Sequence, residues 1–222
     1  MPNDNPPHSD KRPHDLRSTL TKRQILDGAR QVFLLNGYAG TSIDQIINQS
    51  GVSKGSIYHH FDSKDALFRA LIAAEAERIA RALPSVDQDD PDPCSALRQI
   101  GLAVLETLNN PATIATLRLI IGALGRFPGL GEEFLRNSLG QTAKQIAAYL
   151  DLRATAGNLR IRSSRAAAEE FARQCMAHVM ERVLVPHKPC LTEAECTAVV
   201  EDILRNSDIR RDTGRTAGEQ AS

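Results

Sequence analysis

Apolar residues recur at spacings of three and four along almost the whole chain, the mark of amphipathic helices. The first such stripe, Ile25, Ala29, Val32 and Phe33, predicts a helix from Thr21 to Asn36. Thr21 with Gln24 three residues on is a capping-box pattern. Asn36-Gly37 stops the helix, because glycine takes the left-handed conformation at the position after a helix end. Ser42 with Gln45 opens a second, short helix whose stripe is Ile43, Ile46 and Ile47, ending near Ser50-Gly51. Gly51 makes a turn, and a third short helix opens at Ser53 and carries Lys54 to His60. Asp62-Ser63 breaks and recaps the chain, and a long helix runs from Lys64 to about Leu83, ended by Pro84.

Ser85 to Pro93 is an acidic, proline-containing loop. Beyond it the helical period predicts Ser95–Leu108, Ala112–Gly125, Leu130–Leu152, Ser164–Val185 and Glu193–Arg205. Asn110 before Pro111 suits a helix start, and Thr192 with Glu195 is a further capping box. Met1 to about Ser18 is rich in Pro, Asn, Asp and His and buries too little apolar surface to order itself. Lys11, Arg12 and Arg17 would let that segment touch DNA as an arm; the plainer reading is a solvated tail. There is no alternating pattern of useful length and no internal repeat, so the expected fold is all-α. The expected division is a disordered tail over 1–17, a three-helix domain over 18–69, a helical domain over 70–206 and a polar tail over 207–222.

Composition changes this picture little. The chain has 222 residues, 41% hydrophobic and 24% charged, with 4% aromatics and no Trp. Its core is therefore built from Ala, Leu, Ile and Val. No stretch of about 18 apolar residues predicts a membrane span. The first ten residues lack the apolar region of a secretory signal. Cys94, Cys175, Cys190 and Cys196 form no CxxC pair, so a reduced, cytoplasmic protein is expected. Net charge is zero overall, but 17–69 carries +3 and the chain from Ala70 onward carries −2. That asymmetry has the sign expected of a nucleic-acid-binding N-terminal part.

The informative stretch is Thr41 to Leu67, TSIDQIINQSGVSKGSIYHHFDSKDAL. Two short helices joined by a tight glycine turn make a helix-turn-helix. In the second of these helices Ile57 and Phe61 are four apart and point to the core. At 100° per residue the opposite face carries Gly55, Ser56 and His59. A missing side chain, a small hydroxyl and an imidazole let a helix sit close to base edges in a major groove. Lys54 at the helix start and Tyr58 at its flank reach phosphates. His60 lies between the two faces and reads as structural or capping. Thr41, Ser42, Ser53 and Lys64 stand at helix starts, where free N–H groups and the helix dipole favour anions. Donors at such separated points would fix register on a duplex.

This segment resembles the DNA-binding domain of TetR-family transcriptional repressors. The residues that carry the resemblance are Thr41-Ser42, Gly51-Val52-Ser53, Gly55, Tyr58-His59-His60-Phe61 and Lys64. Phe33, Asn36-Gly37 and Tyr38 in the preceding helix also match, so the likeness covers about Thr21 to Leu71. Ile47 and Ser50 stand where the family has small Ala residues, which implies local repacking. The resemblance implies an all-α homodimer that binds a palindromic operator through its first three helices. The last two long helices, about 164–185 and 193–205, would form a four-helix bundle with those of the partner. The helices between would enclose a pocket for a small, lipophilic effector, whose entry shifts the helix at Lys64–Leu83 and releases the DNA. Arg118 to Phe134, RLIIGALGRFPGLGEEF, is also similar to AefR-like and AcrR-like regulators, although the Glu common near Ala123 is missing.

Candidates for lining that pocket are Arg118, Phe127, Met176 and His178, with packing or exposure as the competing reading of each. Cys175, His178, His187, Cys190 and Cys196 invite a metal- or thiol-redox-responsive regulator, since C-x2-H and H-x2-C are loosely ligand-like. Cys175, Met176, Val179 and Met180 also form a helical stripe in which Cys and Met fill a core. That reading leaves no metal and no cofactor. A sequence-indifferent architectural protein is a further rival. No nucleophile elbow, HExxH or phosphate-cradling loop occurs, so an enzyme is not expected.

Overall fold

The computed structural model describes residues 13–157, 159–207 and 209–211. Of the disordered tail expected over 1–17, residues 1–12 lie outside the described residues and 13–17 belong to the first helix instead; of the tail expected over 207–222, residues 212–222 lie outside the described residues. Along the chain come α1 (Pro13–Asn36), α2 (Ile43–Ser50), α3 (Lys54–His60), α4 (Lys64–Ala82), α5 (Pro93–Leu108) and α6 (Pro111–Ala123). There follow α7 (Leu130–Asn137), α8 (Leu139–Thr155), β1 (Leu159–Arg160), α9 (Ser164–Leu184), α10 (Glu193–Asn206) and β2 (Arg210–Arg211). The chain divides into two compact units between Leu71 and Ile72, within α4.

In the first unit, Ile25, Ala29 and Phe33 of α1 are fully buried with Ile46 of α2, Ile57 of α3, and Leu67 and Phe68 of α4. The crossing of α1 and α2 is set by a glycine. A Cβ on Gly28 would lie 2.6 Å from the Ser50 Cβ and 2.8 Å from the Ser50 Cα. The Gln24 amide donates to the Ser50 carbonyl at 2.7 Å, pinning the end of α2 to α1. Rings of Phe33 and Tyr38 each meet Phe68 at a centroid distance of 4.9 Å.

In the second unit, α9 is central: it packs against α5, α6, α8 and α10. Its buried face is Ala168, Phe171, Cys175, Val179 and Val183, as the helical stripe requires. Gly101 of α5 lets Phe171 and Val200 approach closely; a Cβ there would meet both at about 3.0 Å. Asn109 closes the unit, donating to the Leu191 carbonyl and accepting from the Leu191 N–H, each at 2.9 Å.

Three elements differ from the sequence reading. First, α1 begins at Pro13, eight residues before Thr21. The Thr21 hydroxyl donates to the Arg17 carbonyl at 3.0 Å instead of capping. Nothing between Ser18 and Thr21 breaks a helix, and Pro13 tolerates the first position because its missing N–H is unneeded there. Second, the helix expected over Leu130–Leu152 is two. Ser138, at φ −101 and ψ −92, ends α7. Its hydroxyl and its N–H both donate to the Phe134 carbonyl, at 2.7 and 3.0 Å, which is how a serine diverts the helical ladder. Third, Leu159–Arg160 pairs antiparallel with Arg210–Arg211, a bridge too short to have a sequence period.

Candidate nucleic-acid interface

The second and third helices are assembled by local chemistry legible in the sequence. Ser42 accepts from the Gln45 N–H, and the Gln45 side chain accepts from the Ser42 N–H at 2.7 Å, completing the capping box. Gly51 sits at φ 69 and donates to the Ile47 carbonyl at 2.9 Å, the left-handed turn that glycine adopts without strain. Ser53 caps α3 by accepting from the Ser56 N–H at 3.1 Å, and the two serine hydroxyls lie 2.9 Å apart.

Helix α3 therefore presents two unlike sides. Ile57 is completely buried and Phe61 nearly so. Lys54, Gly55 and His59 are exposed, Tyr58 is 47% exposed and Ser56 is half-buried. Gly55 is informative because nothing inside the fold requires it. Its φ is not positive, and a Cβ there would meet only the Ser53 hydroxyl at an ordinary 3.8 Å. The missing side chain leaves room on the outside of the helix. The rings of His59 and His60 meet edge to face at 5.1 Å. Burial first, then the nearby His59 and Lys22, hold the His60 imidazole below its ordinary value.

Two residues expected at phosphates are turned inward. Thr41 is 3% exposed, and its hydroxyl donates to the Gly37 carbonyl at 2.7 Å, closing the turn between α1 and α2. The Lys64 ammonium donates to the Thr41 carbonyl at 2.8 Å and the Tyr38 carbonyl at 3.1 Å. It also lies 4.4 Å from the centre of the Tyr38 ring. Sequence spacing found both residues but not their direction. Ser42, Ser53, Lys54 and Tyr58 remain at the surface, on or beside α2 and α3.

The four pocket candidates do not act alike. Arg118 is exposed and caps α9, donating to the carbonyls of Val183 at 2.9 Å and Arg182 at 2.6 Å. His178 is exposed, with Nδ1 2.9 Å from the Gln174 carbonyl oxygen. Phe127 is buried in the core. Met176 lines a mostly apolar cleft of about 230 Å³ with Leu135, Leu139, Gly140, Ala143 and Ala172, and the charged Glu169 and Arg173 line it as well. The sequence reading missed those partners, which come from three helices and share no local pattern. Among the described residues no group of three His, Cys, Asp or Glu side chains could hold a metal. The four cysteines are free thiols, and burial pushes the Cys175 thiol up to about 12. No helix of the described residues is long and apolar enough to cross a membrane.

A helix-turn-helix whose second helix turns a small, polar side outward, in a chain whose remaining helices build a unit of their own, defines a DNA-binding transcriptional regulator. Comparison with known proteins specifies which. Residues 25–71 match the bacterial regulatory proteins of the tetR family, and residues 95–206 match the C-terminal domain of AefR-like transcriptional repressors. The chain belongs to the TetR family of transcriptional repressors.

A helix-turn-helix-type repressor of Mycobacterium tuberculosis is 48% identical over 59 residues, 27% of this chain and 32% of that one. The repressor AcnR of Corynebacterium glutamicum is 37% identical over 67 residues, 30% of this chain and 36% of that one. The chain thus matches about a third of the length of these curated relatives. The solved structure of the flavonoid-responsive regulator FrrA is 30% identical, covers 84% of this chain and 94% of its own, and superposes with a TM-score of 0.70. GusR of Salmonella enterica shows the same fold at 23% identity and a TM-score of 0.61, covering 84% of this chain and 94% of its own.

Proposed function

We propose that this repressor acts in the cytoplasm as a homodimer, binds a palindromic operator and releases it on taking up a small, lipophilic effector. Helix α3 enters the major groove. Ser56 and His59 read base edges, and Gly55 permits close approach. Ser42, Ser53, Lys54 and Tyr58 contact phosphates and fix register. The partner contact runs through α9 and α10. The observation that carries the reading is the division of α3, with Ile57 and Phe61 buried behind an outward side that has no bulk at Gly55. The flavonoid response of FrrA supports an effector of the lipophilic small-molecule kind. The mostly apolar cleft beside Met176 supports it as well. No catalytic step belongs to this reading, and no metal or cofactor is invoked.

The test is selection of duplexes from a randomised pool by the full-length protein, with the mass of the selected complex measured in parallel. The expected result is a palindromic consensus whose half-sites are about one helical turn or a multiple apart, bound by a dimer. Selected duplexes should outcompete random DNA by about 10³ or more. An unenriched pool, or equal competition by random DNA, overturns the proposal in favour of a sequence-indifferent binder.

A further inference from the structure

Helix α3 has two flanks, and their charge differs in kind. At 100° per residue Lys54 and Tyr58 lie on one side of the outward strip of Gly55, Ser56 and His59, and His60 lies on the other. A helix is about 10–12 Å across and a major groove about 12 Å wide, so a helix seated there meets both phosphate backbones. On the Lys54 flank the cation is permanent near neutral pH. On the His60 flank it is an imidazole, whose charge comes and goes with pH.

That imidazole sits in a cluster of positive groups. The His59 ring meets it edge to face at 5.1 Å, and the Phe61 ring lies 6.3 Å away. The Lys22 ammonium of α1 is 6.0 Å from the centre of the same Phe61 ring, so α1 brings a fixed cation to this flank. Helices α1 and α2 pack against α3. Of the charged residues of α1, Lys22 acts on the His60 ring; Asp44, the charged residue of α2, does not, and neither does Asp62 in the turn that follows α3. Half-buried His60 thus has Lys22 on one side and His59 on the other, and among the described residues no carboxylate balances a third charge.

We propose that operator binding is proton-linked through His60: the phosphate backbone on this flank supplies the negative charge that the protein withholds, so the imidazole takes up a proton as the duplex binds, and affinity rises as the pH falls. This inference rests on the reading that α3 binds DNA. Free His60 holds its proton poorly, because burial, His59 and Lys22 all oppose the charge. Beside a phosphate the same ring holds it more firmly, since a nearby opposite charge favours the charged form. A group that binds its proton more firmly in the complex favours the complex at low pH. The same group weakens the free fold at low pH, so stability and affinity should move in opposite directions over one pH range. A His60 with a structural role alone would move them together.

The experiment titrates the selected duplex with full-length wild type, His60→Gln and His59→Gln at pH values from 8 to 5.5, with unfolding followed at each pH. Calorimetry in two buffers of different ionisation enthalpy counts the protons taken up. Wild type should gain about tenfold or more in affinity across this range, since holding a proton more firmly by one pH unit is worth about tenfold in each protomer. Binding near pH 6.5 should take up as much as about one proton per protomer. The gain should shrink at high salt, because it depends on backbone charge. His60→Gln should lose most of the gain and of the uptake, whereas His59→Gln, although weaker, should keep most of both. Wild-type affinity that is flat or falls with acid overturns the proposal. So does a His60→Gln protein that keeps the full gain. If His60→Gln fails to fold, His59→Gln decides: uptake abolished by that change places the proton on His59 and overturns the proposal. A wild-type protein that selects no duplex at any pH overturns the DNA reading first, and the proton linkage with it.

Discussion

Gly28→Ala is the sharpest structural test, because two known effects oppose each other and the geometry decides the sign. In an ordinary exposed helix position Ala is favoured over Gly by about 1 kcal/mol. At Gly28 the added Cβ would lie 2.6 Å from the Ser50 Cβ, 2.8 Å from its Cα and 3.0 Å from its backbone nitrogen. Two of these three atoms are backbone, so no side-chain rotation relieves the contact; α2 itself must retreat. That retreat pulls on the Gln24 bond to the Ser50 carbonyl, which is 2.7 Å long. Overpacking of this kind costs about 1–3 kcal/mol, which exceeds the propensity gain. The expected net effect is a destabilisation of up to about 2 kcal/mol together with weaker binding to the selected duplex.

Urea unfolding followed by circular dichroism measures the first effect and duplex titration the second. Gly122→Ala is the internal control: it lies in α6 with nothing within 4 Å of its would-be Cβ, so it should stabilise. Adding Ser50→Gly to Gly28→Ala should recover only part of the loss, because the Ser50 backbone stays in the way. A Gly28→Ala protein as stable as the Gly122→Ala control, with operator affinity intact, would refute the close crossing of α1 and α2.

Other outcomes follow from the same geometry. Arg118→Ala removes the donors to the last carbonyls of α9 and should cost about 1 kcal/mol in chemical denaturation while leaving duplex affinity unchanged. With its thiol pushed up to about 12, Cys175 should resist alkylation at pH 8 in the native protein and react once the protein is unfolded; rapid native labelling would contradict its burial. His60, held below 6.5, binds its proton less readily in the folded state than in the unfolded one. The stability this provides is present above pH 6.5 and declines as the pH falls below it, and His60→Gln should flatten the stability profile between pH 7 and pH 5.

Much of the reading unit was legible in the sequence because its signals are local. The Ser42–Gln45 capping box, the Gly51 turn, and the Ile57 and Phe61 anchor all act within four residues. What was hidden depends on partners far along the chain. Thr41 and Lys64 look like surface donors at helix starts until Tyr38 and Gly37 are brought beside them. Ser138 reads as one more residue of a long amphipathic stripe, and only its bond back to Phe134 shows the break. The absence of a helix-stopping residue before Thr21 was itself the signal for the earlier start of α1, and the Thr21–Gln24 pattern masked it. Pocket candidates picked by residue type scattered for the same reason: the cleft beside Met176 is drawn from α7, α8 and α9, whose contributions have no common spacing.

The outward side of α3 carries the account, and a base-by-base affinity series tests it most directly. Every single-base-pair variant of the selected duplex is titrated with wild type and with His59→Ala. Wild type should lose about 1–3 kcal/mol at a few symmetric positions in each half-site. His59→Ala should become indifferent at the base pair it reads and keep the wild-type pattern elsewhere. A pattern that His59→Ala leaves untouched, or merely scales down evenly at every position, would mean that this side of the helix does not read the groove.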